Sequence, residues 1–164
     1  MRFHTPQKTN CAKNVFLIDA AKENTIRLLN PIGKITGIEF LLGVDSILNC
    51  SGSQSGALDP LNDMFWAWNS GYVMFKLEGR SNASKADLQR IEQHIGGYKR
   101  EFKTMRKIFI PLDKKYLSDN KTEKIIINMD LYKYWNGKNK IRFSEQPMIT
   151  TIGKAAKEAA DNLS

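Results

Sequence analysis

A few residues of this sequence could take part in metal or redox chemistry. The segment 65–72 contains four aromatic residues, among them Trp66 and Trp68. Met64 precedes this segment, and a methionine thioether is a soft ligand that suits Cu(I). His94 is one of two histidines, and its position near the end of a predicted strand is compatible with a ligand role. A zinc or iron site normally needs three or four His, Cys or carboxylate ligands, so these residues alone do not define one.

The aromatic residues fall within residues 59–72, which we call the aromatic loop and which also holds Asp63 and Tyr72. Serine and glycine dominate residues 51–56 before it, and Asn-Ser-Gly follows the second tryptophan. Loops usually lack large apolar side chains, because their backbone polar groups keep them at the surface. The aromatic loop therefore either closes one end of a hydrophobic core or forms a contact surface.

The elements that must position these residues are predicted to be strands. Short apolar or alternating segments recur between turn residues, at positions 14–19, 34–43, 72–78, 88–95, 105–112 and 123–131. Within 72–78, residues 73, 75 and 77 are predicted to share one face. Residues 149–163, rich in Ala, Lys and Glu, are predicted to form a helix. This pattern indicates an all-β fold, an antiparallel β-sandwich with a short C-terminal helix.

Size and charge limit the possible classes of protein. The 164 residues fit a single domain, and no apolar segment approaches the ~20 residues that a membrane span needs. The net charge of +8 is compatible with a nucleic-acid surface. However, the lysines are spread along the chain, which favours an ordinary solvated basic surface.

Signatures of catalysis are scarce. Residues 52–56 read Gly-Ser-Gln-Ser-Gly, but a nucleophile elbow needs a strand before it and a helix after it, and neither is predicted there. We therefore do not expect an enzyme. The two cysteines, Cys11 and Cys50, could form one disulfide, although two cysteines also occur by chance in reduced proteins.

Several segments resemble the MbnP family, copper-binding proteins encoded beside methanobactin operons and other copper-homeostasis genes. The resemblance extends from about Phe16 to the C-terminus, and the Trp-x-Trp motif is its most specific part. The segments that carry it are Phe40–Ser46, Ser51–Pro60, Asp63–Tyr72, Phe75–Gly79, His94–Gly97 and Ala159–Asn162.

The resemblance implies a β-sandwich that is exported to the periplasm or cell surface, often as a lipoprotein, and that binds one Cu(I). In characterised members the first tryptophan of the motif is oxidised to kynurenine by MbnH, a di-haem partner of the MauG-like class. Carried over to this sequence, Trp66 is the modified ligand, Trp68 the second motif tryptophan and His94 the matching candidate ligand. Met64 is a weaker candidate that rests on its soft thioether alone. Tryptophan offers no lone pair to a metal, whereas kynurenine carries an aromatic amine and a ketone.

The sequence also departs from the family pattern. Family members usually begin with a leader and further N-terminal strands, one of which tends to carry a histidine, and His4 matches no family ligand position. We therefore expect an N-terminally shortened chain whose signal peptide and one histidine are missing. Export would favour a Cys11–Cys50 disulfide. The alternative is a secreted structural or adhesion-type sandwich without metal, in which Trp66 and Trp68 only close the core.

Overall fold

A computed structural model describes residues 2–4, 15–22, 24–27, 33–68, 71–112, 117–118 and 124–164. The chain divides into two compact units. The first comprises Met1–Leu41 and Lys107–Asn128, and the second comprises Leu42–Arg106 and Met129–Ser164. Every residue proposed above as a copper ligand lies in the second unit.

Strands dominate the regular structure of the described residues. The strands are β1 (Arg2–His4), β2 (Gly33–Lys34), β3 (Gly37–Leu42), β4 (Phe65–Trp66), β5 (Gly71–Arg80), β6 (Arg90–Gly96), β7 (Arg106–Pro111), β8 (Leu117–Ser118) and β9 (Met148–Ile149). The α-helices are α1 (Ser46–Cys50), α2 (Leu131–Asn136) and α3 (Lys154–Asp161). Antiparallel and mixed sheets followed by a short C-terminal helix confirm the predicted all-β class and are consistent with a β-sandwich. Among the described helices, none has the length and apolarity to cross a membrane.

The first unit is built on a three-stranded sheet and a two-stranded ladder. The sheet has the order β1-β3-β7, and His4 lies on β1 opposite Gly37 of β3. The ladder pairs β2 with β8. Ile38 of β3 is 2% exposed, which agrees with the period-two pattern of apolar residues predicted for this strand.

The second unit is built on a four-stranded sheet of order β4-β5-β6-β9. The first three strands pair antiparallel, and β9 joins β6 in parallel. One face packs against the C-terminal helix, because the three alanines Ala156, Ala159 and Ala160 let α3 approach Ile95 of β6 closely. A second apolar cluster is formed by Val44, Leu58, Tyr72 and Met74, and Phe65 of the aromatic loop packs against it.

The predicted alternation of β5 is wrong at one point, because the strand contains a β-bulge. Val73 pairs with Gly96 while Phe75 pairs with Ile95, so Met74 is the extra residue. Phe75 therefore packs in the core with Ile95, whereas Val73 lines a surface cleft. Val73 and Phe75 therefore do not share one face of the strand, as a strict period of two would have required.

Other predicted elements differ from the structure. Residues 15–19 and 124–130 form no strand, and the apolar side chains of both segments are largely exposed. The C-terminal helix begins at Lys154 and not at Ile149, because Met148 and Ile149 extend the sheet as β9. The aromatic loop contains a short strand, β4, as well as a turn of 3-10 helix, Pro60–Asn62, and a second such turn, Gly56–Leu58, comes directly before it.

Candidate functional site

The face of the four-stranded sheet opposite α3 carries a cleft of about 590 Å³. Strand alternation places His94 on this face, since its neighbours Gln93 and Ile95 are fully buried on the other. The cleft is lined by Asp63, Phe65, Trp66, Ala67, Trp68, Val73, Glu92, His94, Met148, Thr150 and Thr151. The structure thus brings together both motif tryptophans, Asp63 and His94, which are up to 31 residues apart in sequence, counting from Asp63 to His94 (94 − 63).

Trp66 lies over a glycine of the sheet. Its side chain is 7% exposed, and a Cβ atom placed on Gly96 would lie 2.7 Å from Cζ3 and 2.9 Å from Cη2 of its indole ring. The same Cβ would lie 3.0 Å from the carbonyl oxygen of Tyr72. Only a residue without a side chain leaves room for the indole at this point, so Gly96 forms the floor on which Trp66 rests.

Trp68 differs from Trp66 in exposure, although the two rings are neighbours. Trp68 is 66% exposed. The ring centroids are 5.3 Å apart with an interplanar angle of 36°, within the range of favourable aromatic pairs. The motif therefore consists of one buried ring and one solvent-exposed ring in contact with each other.

Tyr72 anchors the aromatic loop and does not line the cleft. Its hydroxyl donates to the carbonyl oxygen of Leu58 at 2.7 Å, and its ring contacts Phe65 edge-on with centroids 5.0 Å apart. Its backbone N–H donates to Oδ1 of Asn49 at 2.9 Å. Because Tyr72 and Asn49 are 2% and 1% exposed, these hydrogen bonds fix the start of β5 and with it the position of β4.

A chain of charged side chains connects the aromatic loop to His94. Nζ of Lys76 contacts Oδ2 of Asp63 and lies 3.2 Å from Oε1 of Glu78. The same Oε1 lies 2.8 Å from Nε2 of His94. The hydrogen bond from Lys76 lowers the pKa of Asp63. Burial alone would lower the pKa of Lys76, but its hydrogen bonds to the two carboxylates outweigh burial and raise that pKa. Burial alone would raise the pKa of Glu78, but hydrogen bonds from His94 and Lys76 outweigh it and lower that pKa.

The contact with Glu78 determines how His94 could act. An imidazole that donates its Nε2–H to a carboxylate keeps a lone pair on Nδ1, and metal-binding histidines commonly have such a carboxylate partner. The side chain of His94 is 17% exposed. His94 is therefore held by Glu78 in an arrangement that leaves one nitrogen available to a ligand.

The remaining predicted site residues lie elsewhere. Met64 is partly buried and does not line the cleft described above, and its carbonyl oxygen accepts the N–H of Val73 at 2.8 Å. Cys50 ends α1 and is exposed. Cys11 lies outside the described residues, so the disulfide stays a prediction.

The donor set of the cleft suits a soft cation. Within the described ranges, no group of three or more His, Cys, Asp and Glu side chains is placed to share one metal ion. The cleft instead offers the imidazole of His94 and the thioether of Met148. Imidazole and thioether are ligands that bind Cu(I) well, so the residues present fit that ion.

Sequence reasoning missed four residues around this cleft. Lys76 and Glu78 could have been found, because they alternate with apolar residues on a predicted strand and must then face away from the core. Gly96 reads only as the end of a strand, and nothing in the local sequence of Met148 marks it as part of a site.

The second unit thus has a mixed sheet with a Trp-x-Trp motif packed on it and a histidine in the same cleft, which defines a β-sandwich-type domain with a candidate ligand site. The family model described as MbnP matches residues 1–152. The chain therefore belongs to the MbnP family, and this membership points to a copper-related role. No curated protein and no solved structure matches the chain.

Proposed function

We propose that this protein is a copper-binding protein of copper homeostasis and not an enzyme. It binds one Cu(I) in the cleft described above, after Trp66 has been oxidised to kynurenine. The observation that supports this proposal is that Trp66 and His94, which are distant in sequence, line the same cleft. Kynurenine at position 66 and His94 are the ligands, and copper is the cargo that they hold.

The oxidation creates a ligand at a residue that had none. Cleavage of the C2–C3 bond of the indole takes up two oxygen atoms from water and releases four electrons and four protons. Two equivalents of peroxide accept these electrons and protons at the haem and become four water molecules. Hydrolysis of the resulting formyl group releases formate and leaves an aromatic amine. Copper binding then depends on prior oxidation, because the indole nitrogen of unmodified Trp66 is only a donor.

The oxidant is a peroxide-consuming di-haem enzyme of the MauG-like class, which the family resemblance names as MbnH. Trp66 is too buried for direct contact with such a partner, but the exposed ring of Trp68 stacks near it at 5.3 Å. Electrons can therefore leave Trp66 through Trp68 to a haem protein docked on the exposed ring. Because such partners are exported, we place the protein in the periplasm or at the cell surface.

Replacement of Trp68 by leucine tests this relay. We expect oxidation of Trp66 by the di-haem partner to fall from complete to a minor fraction, because leucine preserves apolar bulk but cannot be oxidised. The measurement is the time course of Trp66 modification by peptide mass spectrometry. Leu61→Ala is the matched control, since Leu61 is 93% exposed in the same loop and has no redox chemistry. Equal rates for Trp68→Leu and the native protein would exclude the relay.

The proposed function as a whole is tested with protein produced together with its di-haem partner. We expect peptide mass spectrometry to show loss of one carbon and gain of one oxygen atom at Trp66, and metal analysis to show one copper per chain. Copper-loaded protein with an unmodified Trp66 would disprove the maturation step.

A structural role without metal is the second candidate, and the tight packing of Trp66 on Gly96 favours it. Under this hypothesis the indole only covers the end of the sheet. Cu(I) competition titration of the matured protein separates the two functions, because a purely structural sandwich would show no stoichiometric binding.

A further inference from the structure

We infer that Met148 supplies a thioether ligand to the copper site, beside His94 and the modified Trp66; this inference rests on the proposed function. Met148 lines the same cleft as these two residues. It lies on β9, far from the aromatic loop in sequence, and it takes the role that sequence reasoning gave to Met64.

The register of the sheet places Met148 on the correct face. Met148 pairs with Glu92 across the parallel ladder of β6 and β9. Glu92 and His94 are two residues apart on β6 and both line the cleft, so their side chains point to the same face. Met148 is thus a diagonal neighbour of His94 on this face of adjacent strands, which lie about 5 Å apart, so a long side chain can reach across.

The core face of the sheet holds Met148 in this place. Gln93 is fully buried, and its Nε2 donates to the carbonyl oxygens of Pro147 at 2.8 Å and Gln146 at 3.2 Å. The N–H of Glu92 also donates to the carbonyl oxygen of Pro147, at 3.0 Å. These bonds hold the backbone directly before Met148 against β6, so the start of β9 is fixed before any metal arrives.

The charges around the cleft leave the uncharged donors for the metal. Of the two cleft carboxylates, Asp63 is paired with Lys76, and Glu92 lies 3.1 Å from Arg90. A thioether carries no charge and needs no deprotonation, and soft sulfur ligands select Cu(I). Met148 is 40% exposed and lines the cleft, so its side chain is not part of a closed core.

The first experiment compares methionine-to-leucine variants matured by the di-haem partner. Met148→Leu preserves volume at a partly exposed position and should fold normally. We expect its Cu(I) affinity, measured by competition titration, to fall at least about 10-fold, since even removal of a partner behind a ligand typically costs 10–100-fold. X-ray absorption of the copper-loaded native protein should show a sulfur neighbour that Met148→Leu lacks.

Two further variants separate Met148 from other methionines. Met129→Leu is the control, because Met129 is 54% exposed and does not line the cleft, and its copper affinity should equal that of the native protein. Met64→Leu tests the alternative that Met64, and not Met148, is the methionine ligand. Loss of affinity and of the sulfur neighbour in Met64→Leu, with Met148→Leu unchanged, would overturn the inference. Unchanged affinity in both variants, with no sulfur neighbour in the native protein, would overturn it as well.

A second measurement keeps this inference distinct from the maturation of Trp66. Ag(I) replaces Cu(I) without redox chemistry, and the methionine methyl groups can be followed by NMR in unmodified protein labelled with methyl-13C methionine. Unmodified protein has only two of the three ligands and should bind weakly, so Ag(I) is added in excess. We expect it to shift the Met148 methyl signal, and His94→Ala to weaken that shift. If matured native protein binds no copper, the proposed function fails. In that case a shifted Met148 signal still supports the pair of ligands, and an unshifted one overturns it.

Discussion

Replacement of Trp66 by phenylalanine is expected to abolish stoichiometric copper binding while the protein still folds. Phenylalanine fills much of the space over Gly96, but it has no pyrrole ring to open and cannot become kynurenine. The variant would therefore lack a ligand even when it is produced with an active di-haem partner. Metal analysis and Cu(I) competition titration measure the loss, and circular dichroism checks the fold.

The third tryptophan of the chain provides the control for this result. Trp135 lies on α2, where it packs against Tyr134 and Phe143 with centroids 5.2 Å and 5.1 Å away. Trp135→Phe should retain one copper per chain, because this side chain belongs to the core of the second unit and not to the cleft. Full copper occupancy in Trp66→Phe would show that the ligand set does not include position 66.

Replacement of Gly96 by alanine is expected to have the second large effect. The new Cβ would meet the indole of Trp66 at 2.7 Å, so the ring must leave its place on the sheet. Overpacking of this kind costs about 1–3 kcal/mol. We expect that loss in the free energy of unfolding, measured by denaturant titration, together with an increased exposure of Trp66 in its fluorescence spectrum.

Gly79→Ala is the matched variant for this test. Gly79 lies on β5 of the same sheet, and a Cβ added to it meets no atom within 4 Å. Its stability should be unchanged or increased, by up to about 1 kcal/mol, because alanine restricts the unfolded chain. If both glycine variants lost the same stability, the cause would be a general effect of side chains in these strands, and the specific packing of Trp66 on Gly96 would be disproved.

The sequence predicted those elements in which one face is buried. β6 was predicted because Ile91 and Ile95 alternate with polar residues, and both are buried in the structure. Residues 123–131 show the same alternation, yet 124–130 are irregular. On the predicted apolar face, Ile127, Met129 and Leu131 are 41%, 54% and 38% exposed, which shows that a period of two does not make a strand when no neighbour covers that face.

The residues of the candidate site could be picked out from the sequence only in part, for a related physical reason. Trp66 and His94 belong to short motifs that can be recognised in the sequence itself. Their common cleft depends on strand order and on the bulge at Met74, which reverses the side-chain alternation within β5. Met148 could not be predicted, because its place beside Glu92 depends on a parallel pairing between segments 56 residues apart, counting from Glu92 to Met148 (148 − 92).

The parallel pairing of β6 and β9 also determines when copper can bind, because it forms only on folding. The three proposed ligands come from β4, β6 and β9, so an unfolded polypeptide has no preassembled receptor for metal. Copper that binds only the folded form stabilises it by mass action, to an extent that grows with the ratio of free metal to the dissociation constant. Metal loading and resistance to proteolysis should therefore rise together. A chain that is transported in the unfolded state would carry no copper.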